Sequence, residues 1–477
     1  RERESDTLTL ISYFNFITIL SHSPHLGLSA MSDVTNLLRP VGGTEYSWCK
    51  AVPLGTGITV LALSLSNPPD ITNLQNTLHH FQTSHPILNS YIHFNPITKS
   101  FSYLKHPDPH LQIEPFDLQS TAQILQDLQK DAQNDAVTPF QLILEHELNR
   151  NSWLDPDVDA DVFFASLYSL SEAQWCVVLR LHTSVCDRAA AAALLRGLLS
   201  EMSGGEKEFE GNGEVSLGIE EIIPKGKGNK PFWVRGVDMV GYSLNSFRLS
   251  NLEFVDPNSP RQTRVVRLQM NPLHTQNLLA VTAHSSKNLP EDNKEKYAVV
   301  ILTDCRSILE PPLSNNHLGF YHSAILNTHN ITGRDTLWEL AKRSYTSNAN
   351  AKKSNKHFTD MSDLNFLMCK AIENPSLTPS SSMRTAFMSV FEDSIVDQTA
   401  ELQQELGLVD YMGCASAHGV GPSIAVFHTI RGGSLDCVMV YPSPLHSREQ
   451  IQDLIDRMKS ILVAGCVSVE DVESNGS

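Results

Sequence analysis

Hydrophobic positions recur at helical spacing from Asp70, where Ile71, Leu74, Leu78 and Phe81 step by three, four and three. The pattern predicts an amphipathic helix with Asp70 capping its first amides and Pro86 ending it. The chain then reads as extended from Ile87 to Ile92, and again at Phe101 and Tyr103 after a turn at Asn95-Pro96. Thr138-Pro139 sets a cap residue before a proline at the first helical position and opens another helix. The clearest hairpin runs from Asp161 to Leu170, turns at Ser171 to Gln174, and returns from Trp175 to His182. In its second strand Trp175, Val177, Leu179 and Leu181 share one face, and Cys176, Val178, Arg180 and His182 the other. An alanine-rich helix follows from Arg188 to Leu199, so strand, short loop and helix meet between residues 182 and 187.

The pattern breaks between Ser203 and Pro231. Seven of the chain's 25 glycines and ten Lys or Glu residues fall there, which reads as a linker. Beyond it, Arg264 to Met270 reads as a strand, Asn271-Pro272 opens a helix, and Tyr297 to Thr303 is a short apolar run of the kind that forms a buried strand. Helical spacing returns at Asp335 to Ser344. Strands recur near Thr385 to Phe391, Ser423 to His428 and Leu435 to Tyr441, and a helix from Ser447 to Leu462 closes the pattern. Strands and helices interleaved on both sides of one linker predict two α/β lobes.

The segment His182-Thr-Ser-Val-Cys-Asp187 resembles the H-H-x-x-x-D motif of the chloramphenicol-acetyltransferase-like superfamily, which includes condensation domains of non-ribosomal peptide synthetases and the plant BAHD acyltransferases. Other stretches agree in order. Ser84-His85-Pro86-Ile87-Leu88 is similar to the family's R-H-P-x-L segment, Asp304-Cys305-Arg306 to its N-x-R segment, and Leu318-Gly319-Phe320 follows as a leucine-glycine pair does there. Tyr441 to Leu462 resembles the family's closing strand and helix. The resemblance spans about residues 35 to 465 and falls nearest the condensation-domain and alcohol-acetyltransferase branch, in particular plant condensation-domain-containing proteins. The D-F-G-W-G signature of BAHD enzymes does not occur.

The resemblance implies an α/β fold of two pseudo-symmetric lobes, residues 31–202 and 232–468, joined by the 203–231 linker, with 469–477 as a tail and a tunnel between the lobes. An acyl thioester enters the tunnel from one side and an alcohol or amine from the other. The family's second motif histidine removes the acceptor proton, a task suited to a group that titrates near neutrality. The motif aspartate pairs with the second-lobe arginine, which implies a structural Asp187–Arg306 ion pair. From the residues themselves, Asp187 caps the helix that opens at Arg188, and a carboxylate has acceptor capacity for both.

Thr183 stands where the motif has its second histidine, and a threonine hydroxyl does not ionise near neutral pH; it donates a hydrogen bond or relays through water. His182 lies one residue earlier, a step that reverses side-chain direction on a strand. It is either a buried histidine hydrogen-bonded beneath the motif or, where a bulge or strand end re-aims it, the base. Two replacement bases stand in the second lobe, where the family's chain lines the tunnel. These are His418, followed by Gly419 and Gly421 that admit close backbone approach of a ligand, and His322 in Tyr321-His322-Ser323. Cys186 is a further tunnel-lining candidate and an acyl-accepting nucleophile only if Arg188 or the helix N-terminus lowers its pKa. Between Met270 and Tyr297, one helix and a polar loop from Ser285 to Lys296 occupy the space where the family has two helices; a missing core helix would expose the apolar faces of its neighbours.

Charge narrows the partners. The 477 residues carry 36 Lys and Arg against 53 Asp and Glu, a formal net charge of −17, which repels nucleic acid and anionic membrane surfaces. The same charge gives no long-range attraction to a phosphorylated donor, so acyl-CoA as co-substrate requires a local basic rim. No apolar run reaches the roughly 18 residues a spanning helix needs. The eight cysteines are dispersed with no C-x-x-C pair and no histidine at zinc-finger spacing. They read as reduced thiols of a cytoplasmic protein with no metal site and no tightly bound cofactor. Residues 1–30 mix Arg1 and Arg3 with Glu2, Glu4 and Asp6 and read as an unstructured extension ahead of a start at Met31. The first functional reading is an acyltransferase acting from an acyl thioester on a hydroxyl or amine of a small metabolite, working as a monomer. The second, favoured by Thr183, is a catalytically inactive condensation-domain-like protein that binds a small ligand or a protein partner.

Overall fold

A computed structural model describes residues 36–131, 137–204, 213, 215, 217–246, 252–270, 294–374, 382–392, 405–431 and 434–474. The N-terminal extension and the helix expected from Asn271 lie outside the described residues. The first half of the chain forms β1 (Leu37–Pro40), α1 (Gly43–Ala51), β2 (Thr56–Leu65), α2 (Ile71–Ser84), β3 (Ser90–Asn95), β4 (Ser100–Lys105), β5 (Ile113–Phe116), α3 (Leu118–Asp131), α4 (Pro139–Asn149), β6 (Ala160–Asp161), β7 (Phe163–Ser171), β8 (Gln174–His182) and α5 (Arg188–Met202). The second forms α6 (Phe232–Ser246), β9 (Gln262–Met270), β10 (Lys294–Asp304), β11 (His322–Thr332), α7 (Leu337–Lys353), α8 (Lys356–Thr359), α9 (Met361–Glu373), β12 (Ser382–Glu392), β13 (Leu408–Ala417), β14 (Gly421–Arg431), β15 (Ser434–Ser443) and α10 (Arg448–Ser474).

Two large sheets carry the architecture. One has the order β13-β2-β8-β7-β5, the other β11-β10-β12-β14-β15-β9. A third, small sheet orders β1-β4-β3-β6. The hairpin β7–β8 has the face assignment its alternation predicts. Val177, Leu179 and Leu181 pack with Leu74, Leu78 and Phe81 of α2 and Leu194 and Leu198 of α5. Cys176 and Val178, on the other face, pack with Ile143, Leu144 and Leu148 of α4 and with Val438 and Val440 of β15. The second cluster therefore joins the two large sheets through a common apolar layer. On the outer face of the second sheet, Ile451, Leu454, Ile455 and Met458 of α10 cover Leu268, Cys437 and Met439.

Local signals explain most helix starts. Asp70 accepts hydrogen bonds from the Thr72 and Asn73 amides, Thr138 from the Gln141 amide, and Asp187 from the Ala190 amide.

Four details depart from the pattern reading. Pro86–Asn89 is a 3-10 turn and extension begins only at Ser90, because proline at the turn's start suits a helical φ. The polar loop expected through Lys296 ends earlier: Lys294 already pairs with Thr332 in the β10–β11 ladder. The linker is anchored within its length, since Ile219 and Ile222 are buried and Glu220 Oε1 accepts from both the amide and the hydroxyl of Thr44 at 2.6 Å. Finally, β13 belongs by sequence to the second half but pairs with β2 in the first sheet, Cys414 opposite Val60.

Candidate functional site

Asp187 is the hub of the site. It caps α5, and its buried carboxylate also meets Arg306 in a two-pronged pair, Nη2 to Oδ1 at 3.0 Å and Nη1 to Oδ2 at 2.9 Å. The Tyr321 amide donates to Oδ2 at 2.7 Å, and His322 Nδ1 lies 2.8 Å from the same oxygen. Burial alone would raise the Asp187 carboxyl, but the attraction of Arg306 and then His322 outweighs it and holds the group well below the usual carboxylate range. Arg306 is fully buried, donates further to the His317 carbonyl, and lies over the Tyr321 ring. Gly319 makes this geometry possible. Its carbonyl accepts from the Asp187 amide at 3.2 Å, its φ is +140°, and a Cβ there would stand 2.6 Å from the Tyr321 ring.

Next to this hub a cavity opens between the two large sheets. Its lining includes Trp48 of α1, Thr59 of β2, Thr183, Phe320, His322 and Ser416 of β13. Cys186, Asp187 and Arg188 also reach it. Thr183 is placed by the one-turn 3-10 helix Thr183–Val185 that follows β8, and its hydroxyl lies 2.7 Å from that of Thr59. When Thr59 donates in that pair, the Thr183 hydroxyl hydrogen is left to donate elsewhere. His322 is the first residue of β11 and pairs with Asp304, the last residue of β10. The two strand ends thereby bring His322 and, two residues past Asp304, Arg306 onto Asp187.

His182 does not line the cavity. Its ring stands edge-on to Trp153, with centroids 5.3 Å apart. Its Nδ1 lies 2.7 Å from Ser184 Oγ and 3.2 Å from the Ser184 amide nitrogen. Because that amide can only donate, Nδ1 is the acceptor and the ring is neutral; Tyr103 in turn donates to Ser184 Oγ at 2.8 Å. Burial pushes the His182 imidazole down to about 3. Of the two readings the residues left open, the geometry is that of the histidine held beneath the motif.

His418, Gly419 and Gly421 are also outside the cavity lining, contrary to expectation. The close approach their glycines allow is used within the chain. A Cβ on Gly55, whose φ is +98°, would fall 2.0 Å from His418 Nε2, and one on Gly419 would fall 2.4 Å from the Leu54 carbonyl oxygen. His418 Nδ1 lies 2.7 Å from the Thr263 hydroxyl, and burial pushes its pKa down to about 4. Cys186 touches the cavity, yet burial first and then the Asp187 charge push its thiol up, away from a thiolate nucleophile.

Trp48 and Thr59 are lining residues outside the stretches that the sequence pattern singles out. Thr59 had a weak local signal, being, with Thr56 and Ser64, a hydroxyl side chain inside the largely apolar run of β2, every residue of which is buried. Trp48 had none, because only the packing of α1 against β2 brings it there.

No family model matches the chain, and no curated protein matches it in sequence. Solved structures do. Polyketide synthase associated protein 5 from Mycobacterium tuberculosis superposes with a TM-score of 0.60 at 16% identity, over 90% of this chain and 98% of that one. The trichothecene 15-O-acetyltransferase of Fusarium sporotrichioides gives 0.63 at 11% identity, over 89% and 94%. The first condensation domain of the calcium-dependent antibiotic synthetase gives 0.57 at 11%, over 89% and 96%. This is the two-lobed condensation-domain fold. It is mixed α/β, and it is shared with a trichothecene O-acetyltransferase and a condensation domain of a peptide antibiotic synthetase. Among the described residues no helix is long and apolar enough to cross a membrane.

Proposed function

We propose that the protein transfers an acyl group from a thioester such as acyl-CoA to a hydroxyl or amine of a small metabolite, with His322 as general base. The observation that carries this reading is that His322 alone among the described histidines lines the cavity between the sheets while its Nδ1 lies 2.8 Å from the Asp187 carboxylate. A carboxylate on Nδ1 fixes the ring so that Nδ1 carries the hydrogen and Nε2 the lone pair, and it stabilises the imidazolium formed on proton uptake. His322 takes the acceptor's proton as its oxygen or nitrogen bonds to the thioester carbonyl carbon. The tetrahedral intermediate then collapses, the carbon–sulfur bond breaks, and the imidazolium returns the proton to the departing thiolate. The Thr183 hydroxyl, which also lines the cavity, supplies a hydrogen bond that positions the acceptor.

Fold likeness supports this reading without assigning a substrate. The structural relatives include an acetyltransferase and a starter condensation domain solved with C8-CoA and Leu-SNAC. In this reading the lobes are residues 31–202 and 232–468, and the protein acts as a cytoplasmic monomer. The second reading, a binding protein without catalysis, is favoured by Thr183 in the motif. Incubation of the purified protein with a panel of acyl-CoAs and extracted metabolites, followed by mass spectrometry, decides between them. Acylated product together with CoA release is expected; ligand retention with neither product nor CoA release establishes the binding role instead.

A further inference from the structure

Away from the cavity, the small sheet brings together three side chains from distant parts of the chain. His106 Nε2 lies 2.7 Å from Asp161 Oδ1, and His110 Nε2 lies 3.0 Å from Asp161 Oδ2. One ligand atom from each residue falls within 4.8 Å of the others. The two imidazole rings lie against each other, with centroids 3.7 Å apart and planes tilted by 42°. All three residues are part-exposed, with side chains 28%, 35% and 31% accessible for His106, His110 and Asp161.

Their backbones are pinned. The His106 amide donates to the Asn89 carbonyl at 3.0 Å and the His110 amide to Gln82 Oε1 at 3.1 Å. Asp161 pairs with Tyr91, and its carbonyl accepts from Trp153 Nε1 at 2.9 Å. Between the histidines the chain reads Pro107-Asp108-Pro109, and each proline fixes one φ.

The polarity of these contacts calls for a positive charge. Asn89 Nδ2 donates to the His106 carbonyl at 3.1 Å, which turns Asn89 Oδ1 toward His110 Nδ1, 3.2 Å away. A carboxamide oxygen only accepts, so His110 Nδ1 carries its hydrogen and, in the neutral ring, Nε2 turns a lone pair on the Asp161 carboxylate. Two lone pairs at 3.0 Å repel. A proton on His110 Nε2 would relieve this as an ion pair, and one divalent cation shared by the two Nε2 atoms and the carboxylate relieves it while engaging all three residues. The Asn89 contact is also the outer-shell hydrogen bond that metal-ligating histidines characteristically make.

We propose that His106, His110 and Asp161 bind a late first-row divalent cation, zinc foremost, with solvent completing the coordination. Two imidazoles and one carboxylate select zinc over magnesium or calcium, which prefer oxygen ligands. Tetrahedral bonds of about 2.0–2.2 Å place ligand atoms about 3.3 Å apart, within reach of small side-chain movements from the present positions.

The test is titration of chelator-treated full-length protein with zinc chloride, read by calorimetry and by thermal unfolding. Wild type is expected to bind one more equivalent than the His106→Gln/His110→Gln double variant and to gain thermal stability that the variant does not gain. Asp161→Asn is expected to weaken binding by about tenfold or more, magnesium chloride to give no response, and His93→Gln, which removes an imidazole paired with Asp159 at 2.8 Å, to leave the site intact. Equal stoichiometry and equal thermal response in wild type and double variant would overturn the proposal, leaving an imidazolium–carboxylate ion pair only. Should the double variant fail to fold, cobalt chloride on wild type decides: a ligand-field spectrum without thiolate charge transfer supports the site, and a thiolate band or no spectrum refutes it.

Discussion

His182 and His322 are equally buried, each about 1% exposed, but they differ in everything that matters for proton transfer. His182 ends β8 inside an apolar and aromatic layer, with Nδ1 occupied by Ser184 and no charge nearby to favour its protonation. His322 begins β11 against a carboxylate and faces the cavity. The first sits within the sequence motif and the second outside it. The contrast teaches that a motif position confers a role only if the fold presents it to the reacting space, and that burial without a counter-charge makes a poor base.

Exchanging the two side chains for inert ones gives the largest expected difference. His322→Ala should lower acyl-transfer kcat by about 10²–10⁴-fold, the usual worth of a general base, whereas His182→Gln should leave kcat within about tenfold and act on stability. Equal losses in both, measured as CoA release, would place the base elsewhere. Next comes the anchor shared by both sides. Arg306→Ala leaves Asp187 as a buried charge without its main partner and should destabilise the protein by about 3–5 kcal/mol in urea unfolding. Arg306→Lys should recover only part of that, because an ammonium cannot span both carboxylate oxygens.

Acid should then act on stability through the buried neutral histidines. Burial holds His182 at about 3 and His418, His428 and His446 at about 4 in the folded protein, against about 6.5 unfolded. Their folded values are depressed, so their contribution is complete above pH 6.5 and is lost as pH falls from there toward 4, by at most about 1.4 kcal/mol per pH unit for each group. A Tm that is flat between pH 7.5 and 5 would contradict this, and His182→Gln should make the decline shallower. The smallest effect expected is that of Thr183→Val, about tenfold or less in kcat, the worth of one neutral hydrogen bond. It is accompanied by a modest stability loss, because the Thr59 hydroxyl keeps only its 3.5 Å contact with the Cys186 carbonyl.

Legibility varied with the range of the interaction. The β7–β8 hairpin, the caps at Asp70, Thr138 and Asp187, and the helix after Asp187 could be read because alternation, helical spacing and cap chemistry act over a few residues. β2 is an unbroken buried run between α1 and α2, where no polar face marks its period, and pattern reading passed it over. At the site, the glycines after His418 signalled a close approach, but local sequence does not say what approaches; the answer was the Leu54–Thr56 backbone. In the cluster of His106, His110 and Asp161 the two histidines stand four apart, a spacing zinc sites use, but the third member arrives only through the β3–β6 pairing.

The sequence by itself determined where the chain would be strand, helix and linker, how each face of β8 would be apolar, and that residue 183 is not an ionisable base. Only the tertiary structure decided which imidazole meets the cavity. That choice depends on β10 and β11 ending where Arg306 and His322 converge on Asp187, and on β13 crossing into the first sheet to close the wall with Ser416. These are contacts over more than a hundred residues of separation, fixed by packing and charge pairing rather than by any local pattern.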